Sequence, residues 1–148
     1  MTDALIVYGS TTGNSKNTAD IIKKSLKSKG YKVTKKNVSA ADMGDLDKEY
    51  DLMIFGCSTW SFDEEDKFEL QSGFLPFFDK MGKHKFKNKK IGVFGCGDSS
   101  YKHFCSAVDK IEDLITKNEG QLAGSSLKVD GSPYENDKEI KKWVNTLI

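Results

Sequence analysis

The chain has 148 residues, 37% of them hydrophobic and 30% charged, with a formal net charge of +1; that length and balance predict one globular domain with room for a real core. No apolar run approaches the roughly 20 residues of a membrane span, and no basic-then-apolar leader opens the chain, so the expectation is a cytoplasmic protein with no membrane role. Three cysteines (Cys57, Cys96, Cys105) without a Cys-x-x-Cys pair, and two scattered histidines (His84, His103), argue against a disulfide framework and against a metal centre.

Ala4 to Tyr8 is uncharged and rich in strand formers, which predicts a strand covered on both faces. It stops abruptly in Ser10, Thr11, Thr12, Gly13, Asn14 and Ser15. From Lys16 to Lys29 the spacing is helical, with Gly30 as its C-terminal cap. A helix N-terminus presents unpaired N–H groups and the positive end of the dipole. Four hydroxyls beside it make a phosphate cradle, and Gly13 lets the backbone come close to the anion. The same composition describes an ordinary loop and N-cap; the strand before it and the helix after it favour the cradle. Neither Gly-x-Gly-x-x-Gly nor Gly-Lys-Ser/Thr is present, so a small phosphate monoester fits better than a dinucleotide or a nucleoside triphosphate.

Tyr31 to Val38 reads as a half-exposed edge strand, and Ala40 to Glu49 as a polar connection with a helical turn. Asp51 to Cys57 is a second apolar strand, running out into a hydroxyl-rich loop, Cys57 to Phe62. Phe68 to Met81 carries a helical stripe (Leu70, Phe74, Leu75, Phe77, Phe78, Met81), kinked or broken near its start by Pro76. Lys90 to Gly95 is the third central strand, followed by the loop Gly95 to Tyr101. A helix through Phe104, Val108, Ile111, Leu114 and Ile115 comes next, with Gly120 just beyond its end. Gln121 to Val129 is a weaker last strand, and Pro133 to Ile148 the closing helix.

Strands and helices in alternation imply a parallel sheet with helices on both faces, an α/β three-layer sandwich. In such sheets ligands bind beyond the C-terminal strand ends. Three loops meet that description: 10–15, 58–62 and 95–105. Trp60 in the second and Tyr101 in the third offer flat surfaces at one rim, and two aromatics facing a gap can sandwich a planar ring. Either alone is more often a packing residue. Together with the cradle they describe a flat heteroaromatic monophosphate, and flavin mononucleotide (FMN) fits.

Charge is sorted along the chain. Lys16 to Lys36 holds eight lysines and one acid, Asp20; Lys80 to Lys90 holds six lysines and no acid; Phe62 to Gln71 holds five acids and one lysine. A charge dipole follows. With little aromatic interleaving, the first lysine run reads as a solvated helix face, not as a nucleic-acid surface.

Three stretches resemble the flavodoxin family, and specifically the short-chain flavodoxins of sulfate-reducing bacteria: Ala4 to Asn14 (ALIVYGSTTGN), Gly56 to Trp60 (GCSTW), and Phe94 to Tyr101 (FGCGDSSY) with Phe104-Cys105. The similarity runs end to end, with the motifs in order. It implies a five-stranded parallel sheet of order 2-1-3-4-5 with FMN at the switch point, an arrangement for which flavodoxins are themselves the standard example. It also implies that Ser10, Thr11, Thr12, Gly13, Asn14 and Ser15 bind the phosphate. Trp60 and Tyr101 would flank the isoalloxazine. Backbone groups of Thr59, Ser61, Cys96, Asp98 and Cys105 would meet its polar edge, with Ser58, Gly97 and Phe104 completing the site. The implied role is a monomeric one-electron carrier at low potential. Its redox partners, of reductase, hydrogenase or cytochrome type, would dock transiently near an exposed flavin edge.

Such a carrier needs no general acid and no nucleophile; it needs a site that sets the potentials. Asp98, Asp63 and Glu64 near a low-dielectric slot would disfavour the anionic, fully reduced flavin and leave a neutral semiquinone stable. Many relatives have Gly after the flanking Trp, where this chain has Ser61. Forcing a non-Gly residue to positive φ costs on the order of 1–2 kcal/mol, and about 1.4 kcal/mol is roughly 59 mV for one electron, so a modestly less stable semiquinone is expected. The acidic stretch from Ser61 to Phe68 looks longer than in close relatives and is a candidate for steering basic partners. Cys96 and Cys105 read as small buried packing residues, and His103 as a surface histidine. The rival reading is an FMN-dependent NAD(P)H-quinone or azo reductase, which needs a substrate pocket over the flavin. A receiver domain of the response-regulator kind is excluded, because Gly9-Ser10 and Gly56-Cys57-Ser58 stand where its acids belong.

Overall fold

The computed structural model describes residues 2–9, 13–61, 68–100 and 104–148, with Trp60, Ser61, Phe68 and Glu69 described by their backbone alone. The uncharged runs of the sequence form its centre. β1 (Thr2–Gly9), β3 (Leu52–Ser61) and β5 (Lys90–Gly97) lie side by side and parallel. β2 (Tyr31–Asn37) flanks β1, also parallel. On the far edge of β5 the last place is shared by two short parallel strands, β6 (Gln121–Leu122) and β7 (Leu127–Asp130). The order is therefore the expected 2-1-3-4-5, with the fifth strand interrupted at 123–126.

Residues alternate cleanly between two cores, as the period of a strand demands. Leu5, Val7, Met53, Phe55, Ile91 and Val93 face one side. There they meet α3 (Leu75–Met81) and α4 (Ser106–Lys117) through Phe77, Met81, Val108, Ile111 and Ile115. Ala4, Ile6, Tyr8, Leu52, Ile54 and Phe94 face the other, against α1 (Asn14–Ser28) and α5 (Asp137–Leu147) through Ala19, Ile22, Leu26, Ile140, Trp143 and Val144. Gly56 stands opposite Phe94 in the β3–β5 ladder, and a Cβ there would overlap the Phe94 ring. The absence of a side chain lets that aromatic lie flat across the sheet.

Three predicted boundaries move. β3 does not end at Cys57; it runs on to Ser61 because β4 (Phe68–Leu70) pairs antiparallel with its tip, Thr59 opposite Leu70 and Ser61 opposite Phe68. Phe68 to Leu70 is consequently strand, not the start of a helix. α3 begins only at Leu75, with Pro76 in its first turn, where a missing N–H costs nothing. The closing helix starts at Asp137, not Pro133.

A short 3-10 turn (Val38–Ala40) leads into the polar connection 40–49, which contains α2 (Met43–Asp47). α2 opens with a reciprocal capping box: Asp45 N–H donates to Asp42 Oδ1 and Asp42 N–H to Asp45 Oδ2. The nearly buried Asp45 also accepts from Lys36 Nζ at 2.8 Å, which holds its carboxyl below the usual range. Lys35 pairs with Asp20. Lys16, Lys24 and Lys27 are exposed along α1, the solvated face expected of them.

Candidate functional site: a phosphate cradle and a strand-end rim

The parallel ladder brings the C-terminal ends of β1, β3 and β5 to one rim, since Gly9 pairs with Cys57 and Ser58 with Cys96.

Gly13, ahead of α1, has a φ of 98°, a left-handed value open to glycine. Gly13 is the N-cap of α1. It supplies no side-chain cap, and the first turn holds no acid. Asn17 N–H bonds back to Gly13 O at 2.9 Å. The N–H groups of the first turn before it are orphans of the helix start. Ser15 is 1% exposed, and its Oγ has no hydrogen-bond partner among the described residues. Ser15 neighbours the Cys96 thiol and lowers it as a hydrogen-bonding group would, against the larger upward effect of burial, but the pair does not meet ordinary hydrogen-bond geometry. A buried hydroxyl without a partner costs roughly 1–3 kcal/mol. Here it stands beside orphan amides at the positive end of a helix, a donor set suited to a phosphate oxygen. The cradle residues Ser10, Thr11 and Thr12 lie outside the described residues.

At the end of β3, Ser58 and Thr59 are half-buried. Ser58 O accepts from Gln71 N–H at 2.9 Å. Thr59 Oγ1 accepts from Ala107 N–H at 2.7 Å, in the first turn of α4. The side chain of Thr59 is therefore committed to the scaffold. Trp60 and Ser61 continue in extended ladder pairing opposite Glu69 and Phe68, so Ser61 carries no left-handed strain.

Beyond β5, Gly97 O accepts from Gly131 N–H at 2.9 Å. Asp98 is exposed, and its carboxylate accepts from Ser100 N–H at 2.9 Å. Hydrogen bonds from the Ser100 hydroxyl and backbone keep Asp98 ionised, below its ordinary value. Ser99 donates from N–H and Oγ to the two oxygens of Asp130, at 3.0 and 2.6 Å. Tyr101 and His103 lie outside the described residues, as do Asp63 and Glu64. Phe104 is half-buried against the α3–α4 core. Cys105, at φ 51°, is the N-cap of α4.

The thiols are buried. Cys57 and Cys105 sit in the α3–α4 core, and burial pushes each up to about 12. Cys96 lies under α1, 3.2 Å from Thr18 Oγ1. Thr18 gives its proton to Asn14 O, so the thiol is the donor. All three are free and buried, which agrees with the packing expected of the Cys96 and Cys105 side chains.

Two residues that hold the rim were missed in the sequence. Asp130 ties the loop after β5 to the end of β7, and the Asp130-Gly131 pair was its available turn signal. Gln71 joins β3 to the turn before α3, and within an apolar stripe it offered none.

A parallel sheet of this order, with a candidate anion cradle at the start of α1 and hydrogen bonds that tie down the tip of β3 and residues 98–100 after β5, defines an α/β sandwich of the class whose ligands bind beyond the strand ends. The sequence model of the flavodoxin family matches residues 6–143, nearly the whole chain. A flavodoxin of Maridesulfovibrio salexigens is 46% identical, covering 97% of this chain and 94% of its own. One of Nitratidesulfovibrio vulgaris is 34% identical, covering 100% and 98%. Among solved structures, oxidised flavodoxin 2 of Bacillus cereus superposes with a TM-score of 0.89 at 30% identity, covering 98% and 97%. A Fusobacterium nucleatum flavodoxin bound to flavin mononucleotide shares the fold, with a TM-score of 0.79 at 18% identity over 98% and 96%. The chain belongs to the flavodoxin family, as its three motifs implied.

Proposed function

We propose that this chain is a single-domain one-electron carrier that holds FMN non-covalently at the strand-end rim and passes electrons between redox proteins. The observation that carries the reading is the cradle at the start of α1. Ser15 Oγ, buried and unpartnered among the described residues, and the orphan amides after Gly13 form a neutral donor set for a phosphate monoester. Ser10, Thr11, Thr12 and Asn14 complete it. Backbone groups of Thr59, Ser61, Cys96, Asp98 and Cys105 meet the ring's polar edge, Trp60 and Tyr101 cover its faces, and Ser58, Gly97 and Phe104 complete the site.

When bound, the flavin supplies the exchangeable electrons; the protein holds and tunes it. The cradle fixes the phosphate without adding a cation. The Thr59–Ala107 and Ser99–Asp130 bonds hold the rim still, so little reorganisation accompanies electron exchange. Asp98, ionised at the rim, opposes added negative charge on the ring. The described residues contain no cluster suited to a metal, and no helix among them is long and apolar enough to cross a membrane. A monomer in the cytoplasm, docking reductase-, hydrogenase- or cytochrome-type partners at the flavin edge, is the setting this reading requires.

The test is reconstitution. Apoprotein titrated with FMN should quench flavin fluorescence at one equivalent, and Ser15→Ala should weaken FMN about tenfold while leaving riboflavin, which lacks the phosphate, nearly unchanged. Apoprotein that takes up neither flavin would contradict the assignment.

A further inference from the structure

Between the cradle and the ring-side strand stands one buried polar side chain with no role so far. Gln71 follows β4 and is 6% exposed. Its backbone N–H donates to Ser58 O at 2.9 Å, at the tip of β3. Its Oε1 accepts from Phe74 N–H at 3.0 Å, and the same N–H lies 2.9 Å from Gln71 O. That clamp fixes the turn leading into α3.

The side chain also reaches β1. A Cβ on Gly9 would lie 2.5 Å from Gln71 Oε1 and 3.2 Å from Phe74 Cβ. Gly9 is the last residue of β1, immediately before the cradle segment, and pairs with Cys57. The amide thus fills the space that a side chain at Gly9 would occupy. One residue touches the exit of β1 with its side chain and the exit of β3 with its backbone.

We propose that Gln71 is a positioning residue that couples the phosphate cradle to the ring-side rim and fixes the distance between them. This rests on the flavin reading above. A ligand anchored at both ends gains affinity when its two subsites are held at the right separation, because the second contact is then nearly intramolecular. A ligand anchored at one end gains nothing from that coupling. Loosening Gln71 should therefore penalise FMN selectively over riboflavin. Phe74 N–H keeps its bond to Gln71 O when the side chain is replaced, so the turn itself should persist.

The experiment compares apoprotein Kd values for FMN and riboflavin in the full chain, in Gln71→Met, which keeps the volume without the amide, and in Gln71→Ala. The ratio of riboflavin Kd to FMN Kd should fall about tenfold in Gln71→Met and at least as far in Gln71→Ala. Thermal melting of each apoprotein reports folding independently of ligand, and Gln71→Met alone decides the matter if the alanine variant does not fold. A ratio that stays at the unsubstituted value, with both Kd values rising together or neither moving, would overturn the proposal. Failure of the unsubstituted apoprotein to bind either flavin would instead overturn the flavin reading, and this proposal with it.

Discussion

The hydroxyl of Thr59, at the end of β3, accepts a hydrogen bond of 2.7 Å from the backbone N–H of Ala107, in the first turn of α4. The bond spans 48 residues of sequence and stands in for a side-chain cap, which Cys105 does not provide. Thr59→Val keeps the branched shape and orphans the amide. It should cost about 1–2 kcal/mol in urea denaturation, and Thr59→Ser should recover most of that loss. Equal stability of all three proteins would show that water caps α4 instead.

Asp45 gives a pH signature. Its carboxyl is held below 3.8, first by the hydrogen bond from Lys36. A lowered folded-state value means that the stabilisation is present above the unfolded value and is lost as pH falls through the folded one. Asp45→Asn should destabilise the protein by about 1–2 kcal/mol at pH 7, because the neutral amide loses the charge-assisted bond from Lys36 and weakens the capping box. The gap to the unsubstituted protein should close below pH 3.8. A gap that persists in acid would assign the effect to packing.

The thiols predict the opposite limb. Cys57 and Cys105 are pushed up to about 12, chiefly by burial. A raised folded-state value means that the protonated thiols favour the fold fully below the unfolded value of 9.0, with the contribution lost as pH climbs from there toward 12. Stability should decline above pH 9, less so in Cys57→Ala measured against its own neutral-pH value. In the native protein at pH 8, the three cysteines should resist a thiol reagent that labels them all after unfolding.

The end of α4 offers a gain. Gly120 N–H bonds to Ile115 O at 2.8 Å and Glu119 N–H to Thr116 O at 3.3 Å, the paired bonds of a Schellman motif. The left-handed residue is Glu119, at φ 71°. Gly120 serves a different need: a Cβ there would lie 2.5 Å from Ile115 Cγ2. Glu119→Gly should therefore stabilise by about 0.5–1 kcal/mol, read from the urea midpoint, whereas Gly120→Ala should destabilise.

Much of this architecture was legible because the apolar runs at Ala4–Tyr8, Leu52–Phe55 and Ile91–Phe94 have no other stable use than buried parallel strands. The candidate cradle could be proposed from the sequence because hydroxyls and glycine cluster where a strand gives way to a helix, and the described part of it, Gly13 to Ser15, does open α1. The failures have physical causes. Phe68 to Leu70 reads as helix from its apolar spacing, yet the open edge of β3 recruits it as a strand, a tertiary preference that no local window contains. Gln71 and Asp130 act across elements that lie distant in sequence, so their partners exist only once the sheet has formed.

The most direct measurement is the visible spectrum of the FMN-loaded protein during stepwise reduction under argon. A one-electron carrier predicts a distinct long-wavelength absorbance that rises with the first electron equivalent and falls with the second, with two separable potentials. Bleaching in a single two-electron step, without that absorbance and with turnover on a nicotinamide nucleotide, would contradict the carrier and favour a reductase.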